Sequence, residues 1–232
     1  MSKAKAQELI RTAQREGRTT LSEYEAKQLL AAYDIPVTRE ILVQQRKELA
    51  DAVRRIGCPL VLKGCAARIA HKTEKNLVRV DVRSEAEALT IFDELMAAMA
   101  GEADAAVLVQ EMVSGRRELV VGLTRDPQFG ACVMFGLGGI FTEILKDISF
   151  RKAPLQMRDA LEMMREIKGR KILEAVRGMP AADTDALARI LIQVGAIALD
   201  LESVAEIDLN PVILSGARPV AVDALIVLKS GR

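Results

Sequence analysis

Acidic and amide side chains near the end of the chain have the types and spacing of a metal site. Glu206, Asp208 and Asn210 alternate along a segment that predicts a β-strand, so all three lie on one face of that strand. Carboxylate and amide oxygens favour Mg²⁺, which usually also contacts nucleotide phosphates. The alternative is that aspartate and asparagine are here ordinary turn formers at a strand end.

The strand that follows brings a fourth oxygen ligand to the same place. If residues 215–218 form the turn, Leu214 pairs with Pro219, and the same register sets Asn210 opposite Asp223. Asp223 stands in an apolar strand, where a charge needs a partner. The hairpin therefore predicts a shared divalent cation, and this interpretation outweighs the turn alternative.

A second candidate group is a lysine at the end of a short apolar run. Lys63 follows Leu60–Leu62, and Gly64 and further small residues come after it. The ammonium and the loop N–H groups could together hold a phosphate, although a lysine at a strand end is often only a surface residue. His71, the only histidine, follows closely. It could be a general base, a phosphate contact or a phosphoryl acceptor, or a solvated loop residue.

Two further stretches carry weaker signals. The link after Glu111, through Val113, could offer backbone groups to an adenine edge, and Glu118 could reach ribose hydroxyls. Read alone, this stretch fits a plain strand–turn–strand better. The glycine-rich residues 136–139 predict a flexible or close-approach loop. Among the charges after it, Arg151 could hold a phosphate bidentately. Lys146 and Asp147 add to an unusually dense group of charges in this span, or they are ordinary surface charges.

The elements that must position these residues mix helices with strands, which predicts an α/β or α+β fold. Capping signals at Ser22 and Ser84 and a terminating Gly57 set helix ends. Helices are predicted at 3–16, 22–33, 47–56, 84–99, 156–167, 170–177 and 183–200. Strands are predicted at 37–43, 59–63, 77–82, 106–111, 118–124, 131–135, 204–209, 212–214 and 219–227.

Composition narrows the class of protein. The chain has 232 residues, 50% of them hydrophobic, a net charge of +1 and only 3% aromatic residues, which gives no support to nucleic-acid binding. Three cysteines without metal-site spacing favour a reduced, cytoplasmic protein. No apolar run is long enough to span a membrane, and no signal peptide is indicated.

Five long strings, in order, resemble one family. They are LSEYEAKQLLAAYDIPV; VLKG with HKTE; VLVQEMVSGRRELVVGLTRDPQFG; FGLGGIFTEILKDISFRKAPL; and EIDLNPVIL with AVDALIVL. Together they resemble the ATP-grasp (beta) subunit of the ADP-forming acyl-CoA synthetases, which are relatives of succinyl-CoA synthetase. The resemblance covers residues 20–229.

The resemblance implies an ATP-grasp fold in which two α+β subdomains clamp ATP or ADP. It implies a leading helix at 1–20 and subdomains at 21–110 and 111–232. The implied contacts are nucleotide phosphates at Lys63, adenine at Glu111 and Val113, ribose at Glu118, and Mg²⁺ at Asn210 and Asp223 with Asp208 beside them.

The resemblance also implies a partner. A CoA-binding alpha subunit carrying a phosphohistidine would make a hetero-oligomer with this chain, and His71 stands where the family can place a second relay histidine. The overall reversible reaction converts acid, CoA and ATP to acyl-CoA, ADP and phosphate.

One departure from the family pattern supports an alternative. The family usually has a glycine pair where this chain has Asn76 and Leu77, and leucine does not easily adopt φ > 0. A catalytically weak nucleotide sensor is therefore one alternative. A self-sufficient ATP-grasp carboxylate ligase is another, disfavoured because no CoA-binding Rossmann unit opens the chain.

Overall fold

The computed structural model describes residues 3–66, 76–139 and 147–229. These residues form two compact units, which are described separately. The smaller unit comprises Ser22–Tyr24 and Thr38–Met112, and the larger unit comprises Met1–Leu21, Glu25–Val37 and Val113–Arg232.

Helices and strands are mixed along the described ranges. The helices are α1 (Lys3–Arg15), α2 (Glu23–Ala32), α3 (Arg46–Ile56), α4 (Glu85–Ala98), α5 (Met157–Glu166) and α6 (Thr184–Asp200), with a 3₁₀ turn at Arg170–Leu173. The strands are β1 (Glu40–Val43), β2 (Leu60–Cys65), β3 (Val78–Val82), β4 (Ala106–Glu111), β5 (Glu118–Asp126), β6 (Gly130–Leu137), β7 (Ile148–Lys152), β8 (Val204–Ser215), β9 (Arg218–Ala221) and β10 (Leu225–Leu228).

The smaller unit is an antiparallel sheet with two helices on one face. In its described part, four strands follow the order β1-β4-β2-β3. Leu60 and Leu62 of β2 and Val107 and Val109 of β4 belong to one buried cluster with apolar residues of α3 and α4. The alternate residues of the same strands, Lys63 among them, therefore face away from these helices.

Local signals explain where the helices of this unit begin and end. Gly57 ends α3 at φ 86°, and its N–H donates to the carbonyl oxygen of Val53 at 2.9 Å. Ser84 caps α4 by accepting the Glu87 N–H, as predicted. The Glu87 carboxylate, however, accepts the N–H of Arg83 and not that of Ser84.

The larger unit places its sheet against several helices. In the described ranges, the strand order is β10-β8-β5-β6-β7, and β9 pairs with β8. One sheet face, with Leu119 and Val121 of β5 and Val133 and Phe135 of β6, joins buried residues of α1, α2, α5 and α6 in a single core. The opposite face carries the residues that alternate with these.

The structure corrects several expectations about the architecture. The leading helix and most of α2 share the core of the larger unit because Ile10, Leu29 and Leu30 are buried in it. The predicted 1–20 and 21–110 divisions therefore do not match the compact units. Strand β8 is continuous where two strands were predicted, the single predicted strand at 219–227 is split, and the predicted helix at 170–177 is a short 3₁₀ turn.

Candidate functional site

Lys63 lies on an inner strand of the smaller unit's sheet and is not a surface lysine. It pairs with Val78 of β3 on one side and Leu108 of β4 on the other. Its Nζ atom is 2.7 Å from Oε1 of Glu23, and the two side chains are 6% and 0% exposed. The predicted phosphate ligand is therefore a buried ammonium that already faces a carboxylate.

Gly64 belongs to strand β2 and does not itself begin a loop, while most of the small-residue loop predicted after Lys63 falls on residues 67–75, outside the described residues. Strand β2 continues through it, and its N–H donates to the carbonyl oxygen of Leu77 at 2.8 Å. A Cβ at Gly64 would stand 2.8 Å from Sδ of Met99 and 3.2 Å from Cβ of Leu77. This glycine is needed for close packing, and its N–H is used inside the protein.

The two residues that replace the family's glycine pair behave differently from one another. Asn76 adopts φ 54°, a left-handed conformation that asparagine tolerates better than most residues. Leu77 stays outside that region and is buried at 3% exposure in the core of the smaller unit. The second glycine position is thus occupied by a core side chain.

His71 and Lys146 lie outside the described residues, in the gaps at 67–75 and 140–146. The predicted relay role of His71 therefore stays a prediction.

Glu111 ends β4, and its carboxylate is bound by Arg39. Its two oxygens accept the backbone N–H of Arg39 at 2.9 Å and the Nε–H at 2.7 Å. Val113 lies beyond the strand and makes no hydrogen bond with any described residue. Any adenine contact here would fall to backbone groups, because the Glu111 carboxylate is already used.

The candidate metal ligands of β8 share one face of the larger unit's sheet. Asp208 pairs with Gly122 of β5, and both Asp208 and Asn210 are exposed. Their neighbours Ile207 and Leu209 are buried in the core. The predicted alternation along this strand is confirmed.

The predicted hairpin register is also confirmed on both sides of an interruption. Strand β9 ends before Asp223, and β10 begins after it. The paired residues are Leu214 with Pro219 and Val212 with Ala221 on the turn side, and Asp208 with Leu225 on the far side. One register connects these pairs, so Asn210 and Asp223 occupy facing positions between the two ladder segments.

Matched irregularities in the two strands explain how this register survives. Core-facing Leu209 and Val212 are separated by two residues instead of one, and so are Ala221 and Ala224. An extra residue in a strand re-aims side chains locally. Because both strands carry one at the same place, the side chains turn without a shift in pairing.

Negative charge is concentrated at this place. The pKa of Asp208 is raised, first by loss of hydration and then by the charges of Asp223 and Glu206. Asp208 is still open to solvent, so the repulsion among carboxylates is the part that a cation would relieve. Asp223 Oδ1 accepts the N–H of Ala224 at 2.8 Å, which fixes its orientation.

The donor set fits Mg²⁺ that arrives with phosphate oxygens. Among residues 3–66, 76–139 and 147–229, no three His, Cys, Asp or Glu side chains gather closely enough to hold a metal alone. Mg²⁺ commonly takes one or two carboxylates and keeps waters and substrate phosphates. Asp208, Asp223 and the Asn210 amide suit that mode.

Of the predicted glycine-rich loop, Gly136 and Leu137 belong to β6, and Gly138 and Gly139 pack against Glu118. The Gly138 N–H donates to the Glu118 carbonyl oxygen at 2.8 Å. A Cβ at Gly138 would stand 2.8 Å from the carbonyl carbon of Glu118, and one at Gly139, where φ is 62°, would stand 2.6 Å from Oε2 of Glu118. The predicted close approach therefore occurs, and it fixes the start of β5.

Arg151 is not brought together with the other candidate residues. It pairs with the core residue Val133 of β6, which puts it on the helix-covered face of the sheet. Its guanidinium binds both oxygens of Glu166, with Nη1 at 2.9 Å from Oε2. This pairing raises the pKa of Arg151 and lowers that of Glu166. The geometry does not support the predicted phosphate contact.

Two structural roles were missed in the sequence. Asp147 is buried and accepts the N–H groups of Lys168 and Gly169 at 2.7 and 2.6 Å, so it is not a surface charge. Arg117 is buried and donates only to backbone carbonyls among the described residues: those of Ile172, Glu174, Pro180 and Gly216. Arg117 stands between Arg116 and Glu118, so the sequence carries no local sign that this arginine is buried.

Glu23 was also missed as a partner of Lys63. The sequence marks it only as an acid at the start of a helix. The two residues are 40 positions apart, so no local pattern connects them.

Comparisons with known proteins agree with this geometry. Residues 12–228 match the family model for the ATP-grasp domain. The chain is 43% identical over 229 residues to acetate–CoA ligase (ADP-forming) I subunit beta of Pyrococcus furiosus, covering 97% of this chain and 98% of that protein. It is 39% identical to acetate–CoA ligase (ADP-forming) I of Archaeoglobus fulgidus, covering 98% of this chain and 34% of that protein.

A solved structure shares the fold over nearly the whole chain. The dinucleotide-forming acetyl-coenzyme A synthetase 1 of Ca. Korarchaeum cryptofilum, in complex with coenzyme A and Mg-AMPPCP, matches with a TM-score of 0.85 and 40% identity. The match covers 97% of this chain and 100% of that one.

No helix within the described ranges is long and apolar enough to cross a membrane. The predicted fold and family are confirmed: the chain belongs to the ATP-grasp family, in the group that contains the beta subunits of ADP-forming acetate–CoA ligases.

Proposed function

We propose that this chain is the nucleotide-binding, phosphoryl-transfer subunit of an ADP-forming acyl-CoA synthetase. With a CoA-binding partner it would interconvert acid, CoA and ATP with acyl-CoA, ADP and phosphate. The observation that carries the proposal is the placement of Asn210 and Asp223 at facing positions beside Asp208. A group of oxygen ligands like this one fits a Mg²⁺ site for phosphoryl transfer better than it fits a purely structural arrangement of side chains.

The candidate residues outside the metal site have proposed contacts with ATP or ADP. Lys63 gives its ammonium to the phosphates, as a point charge. Backbone groups at Glu111 and Val113 hold the adenine edge, since the Glu111 carboxylate is held by Arg39. Glu118, whose backbone is fixed by Gly138, reaches the ribose hydroxyls.

Asn210, Asp223 and Asp208 would hold Mg²⁺ in the larger unit. When bound, Mg²⁺ neutralises charge on the phosphate oxygens. The orientation of Asp223 is set in advance by the Ala224 N–H. Asn210 adds an oxygen ligand without adding a further negative charge beside Asp208, Asp223 and Glu206.

The partner is proposed to be a CoA-binding alpha subunit that carries a phosphohistidine, in a hetero-oligomer. The Pyrococcus relative is itself a beta subunit. The Archaeoglobus relative is a longer protein, and this chain matches only 34% of its length. In the Korarchaeum enzyme a phosphohistidine segment points towards the nucleotide-binding site. The cysteines Cys58, Cys65 and Cys132 are free, which agrees with a cytoplasmic protein.

The test compares the chain alone with the chain plus a CoA-binding partner. Alone, it should bind Mg·ADP in a calorimetric titration and make no acyl-CoA from acid, CoA and ATP. With the partner, acyl-CoA should form. Turnover by the isolated chain would replace this proposal with the self-sufficient ligase. Nucleotide binding without turnover, even with an active partner, would favour the sensor.

A further inference from the structure

The contact between Glu23 and Lys63 is the strongest feature that the proposed contacts leave unexplained. Glu23 is the first residue of α2, and Lys63 is on an inner strand. Their side chains meet at 2.7 Å and are 0% and 6% exposed. Both belong to the smaller unit.

We propose that Glu23 is a positioning residue for Lys63 and keeps its ammonium charged and aimed for nucleotide phosphate. This inference rests on the proposed role of Lys63 as a phosphate ligand. It assigns to Glu23 a function that goes beyond its place at a helix start.

Burial gives the first reason. An ammonium removed from water is costly unless a carboxylate compensates it, and a buried lysine without a partner tends to lose its proton. A neutral amine would give up most of its attraction for phosphate. The contact with Glu23 therefore helps to stabilise the charge that the phosphate requires.

The conformational order of the Lys63 side chain gives the second reason. A lysine side chain has several rotatable bonds, and fixing them during ligand binding weakens affinity. The contact with Glu23 fixes Nζ before a nucleotide arrives. Glu23 is itself held at a helix N-terminus, where a carboxylate is favoured by the helix dipole.

A competing effect has the opposite sign. The Glu23 carboxylate also repels phosphate, so its removal could tighten binding. Because Glu23 Oε1 lies at hydrogen-bond distance from Lys63 Nζ, its charge is largely spent on the ammonium. Loss of the ordered, charged lysine should therefore be the larger effect.

The experiment is a double-mutant cycle on the full chain, read as Mg·ADP affinity by calorimetric titration. Lys63→Met should weaken binding by about tenfold or more, in line with loss of a charge-assisted contact. Glu23→Gln should weaken it by about fivefold when Lys63 is present. In the Lys63→Met background, Glu23→Gln should no longer weaken binding, because the ammonium through which Glu23 acts is gone and removing the uncompensated carboxylate only reduces repulsion of phosphate.

Two further variants control for folding and for general charge effects. Glu25→Gln removes an acid from the same helix, where Glu25 pairs with Arg18 at 2.7 Å, and should leave Mg·ADP affinity unchanged. Glu23→Asp keeps the charge and should recover part of the loss, which also provides a reading if Glu23→Gln does not fold.

The outcomes separate the two levels of the argument. An equal effect of Glu23→Gln in both backgrounds, or no effect beside a weakened Lys63→Met, would overturn the positioning role. Unchanged affinity in Lys63→Met would instead remove Lys63 from the phosphate site, and with it the basis of the inference.

Discussion

The two units handle charge in opposite ways. In the smaller unit, Lys63 is buried and held by Glu23. In the larger unit, Asp208 and Asn210 are exposed on an open sheet face, and Asp208 is under repulsion from Asp223 and Glu206. In one region the charge is paired within the protein, and in the other neighbouring carboxylates repel Asp208, which a bound cation would relieve.

This difference predicts how each region responds to change. A buried pair that loses one partner leaves an uncompensated charge inside the protein, so substitution there affects both folding and binding. An exposed carboxylate can be removed with little effect on folding. Binding and stability should therefore separate cleanly only in the larger unit.

The largest expected effect is on the rate of phosphoryl transfer, and it is expected at His71, which would act in transfer and not in nucleotide binding. His71→Asn should reduce phosphoryl transfer by orders of magnitude, because asparagine cannot be phosphorylated. Mg·ADP affinity should stay within a small factor, since Lys63 and the metal ligands carry it. Exchange of labelled γ-phosphate, with and without the CoA-binding partner, measures the first quantity.

Transfer by His71→Asn at nearly the wild-type rate would reduce His71 to a contact residue. The partner's phosphohistidine would then have to reach the nucleotide directly.

A second prediction concerns the hydrophobic core of the smaller unit. Leu77→Ala should lower the free energy of unfolding by about 2–4 kcal/mol, because it opens a cavity in the core of the smaller unit. Urea denaturation measures it. Val80→Ala, at a position 65% exposed, should change stability by no more than about 0.5 kcal/mol. Equal effects of the two would contradict the burial of Leu77.

A smaller effect is expected at the loop that packs on Glu118. Gly138→Ala should destabilise by about 1–3 kcal/mol, because its Cβ would press on backbone atoms of Glu118 and Leu119 at 2.8 and 2.9 Å. Gly101→Ala is the control, since a Cβ there meets nothing within 4 Å and its φ is not positive. Thermal unfolding of both variants compares them, and a neutral Gly138→Ala would argue against the close contact.

Local rules account for what the sequence predicted well. The pairing of Leu214 with Pro219 follows from the length of the turn, and antiparallel register then fixes Asn210 against Asp223. Strand β4 was predicted with its full bounds because it is a continuous apolar run with clear ends.

Tertiary packing decided what the sequence could not. In β7 the alternation of Ile148 and Phe150 with Ser149 and Arg151 favours burial of the apolar pair. The structure does the reverse, since Ser149 donates to the Met163 carbonyl oxygen of α5 at 3.0 Å and Arg151 pairs with Glu166. The sequence of a five-residue strand does not determine which of its faces a helix will cover.

The central claim is that the facing residues Asn210 and Asp223 hold the nucleotide's metal, and one titration tests it. Calorimetric titration of ADP into the wild type should show affinity that rises with Mg²⁺. In Asp223→Ala the titrations with Mg²⁺ and with chelator should coincide, while urea unfolding stays cooperative because the position accepts a small apolar residue. The same Mg²⁺-dependent affinity in Asp223→Ala as in the wild type would contradict the account.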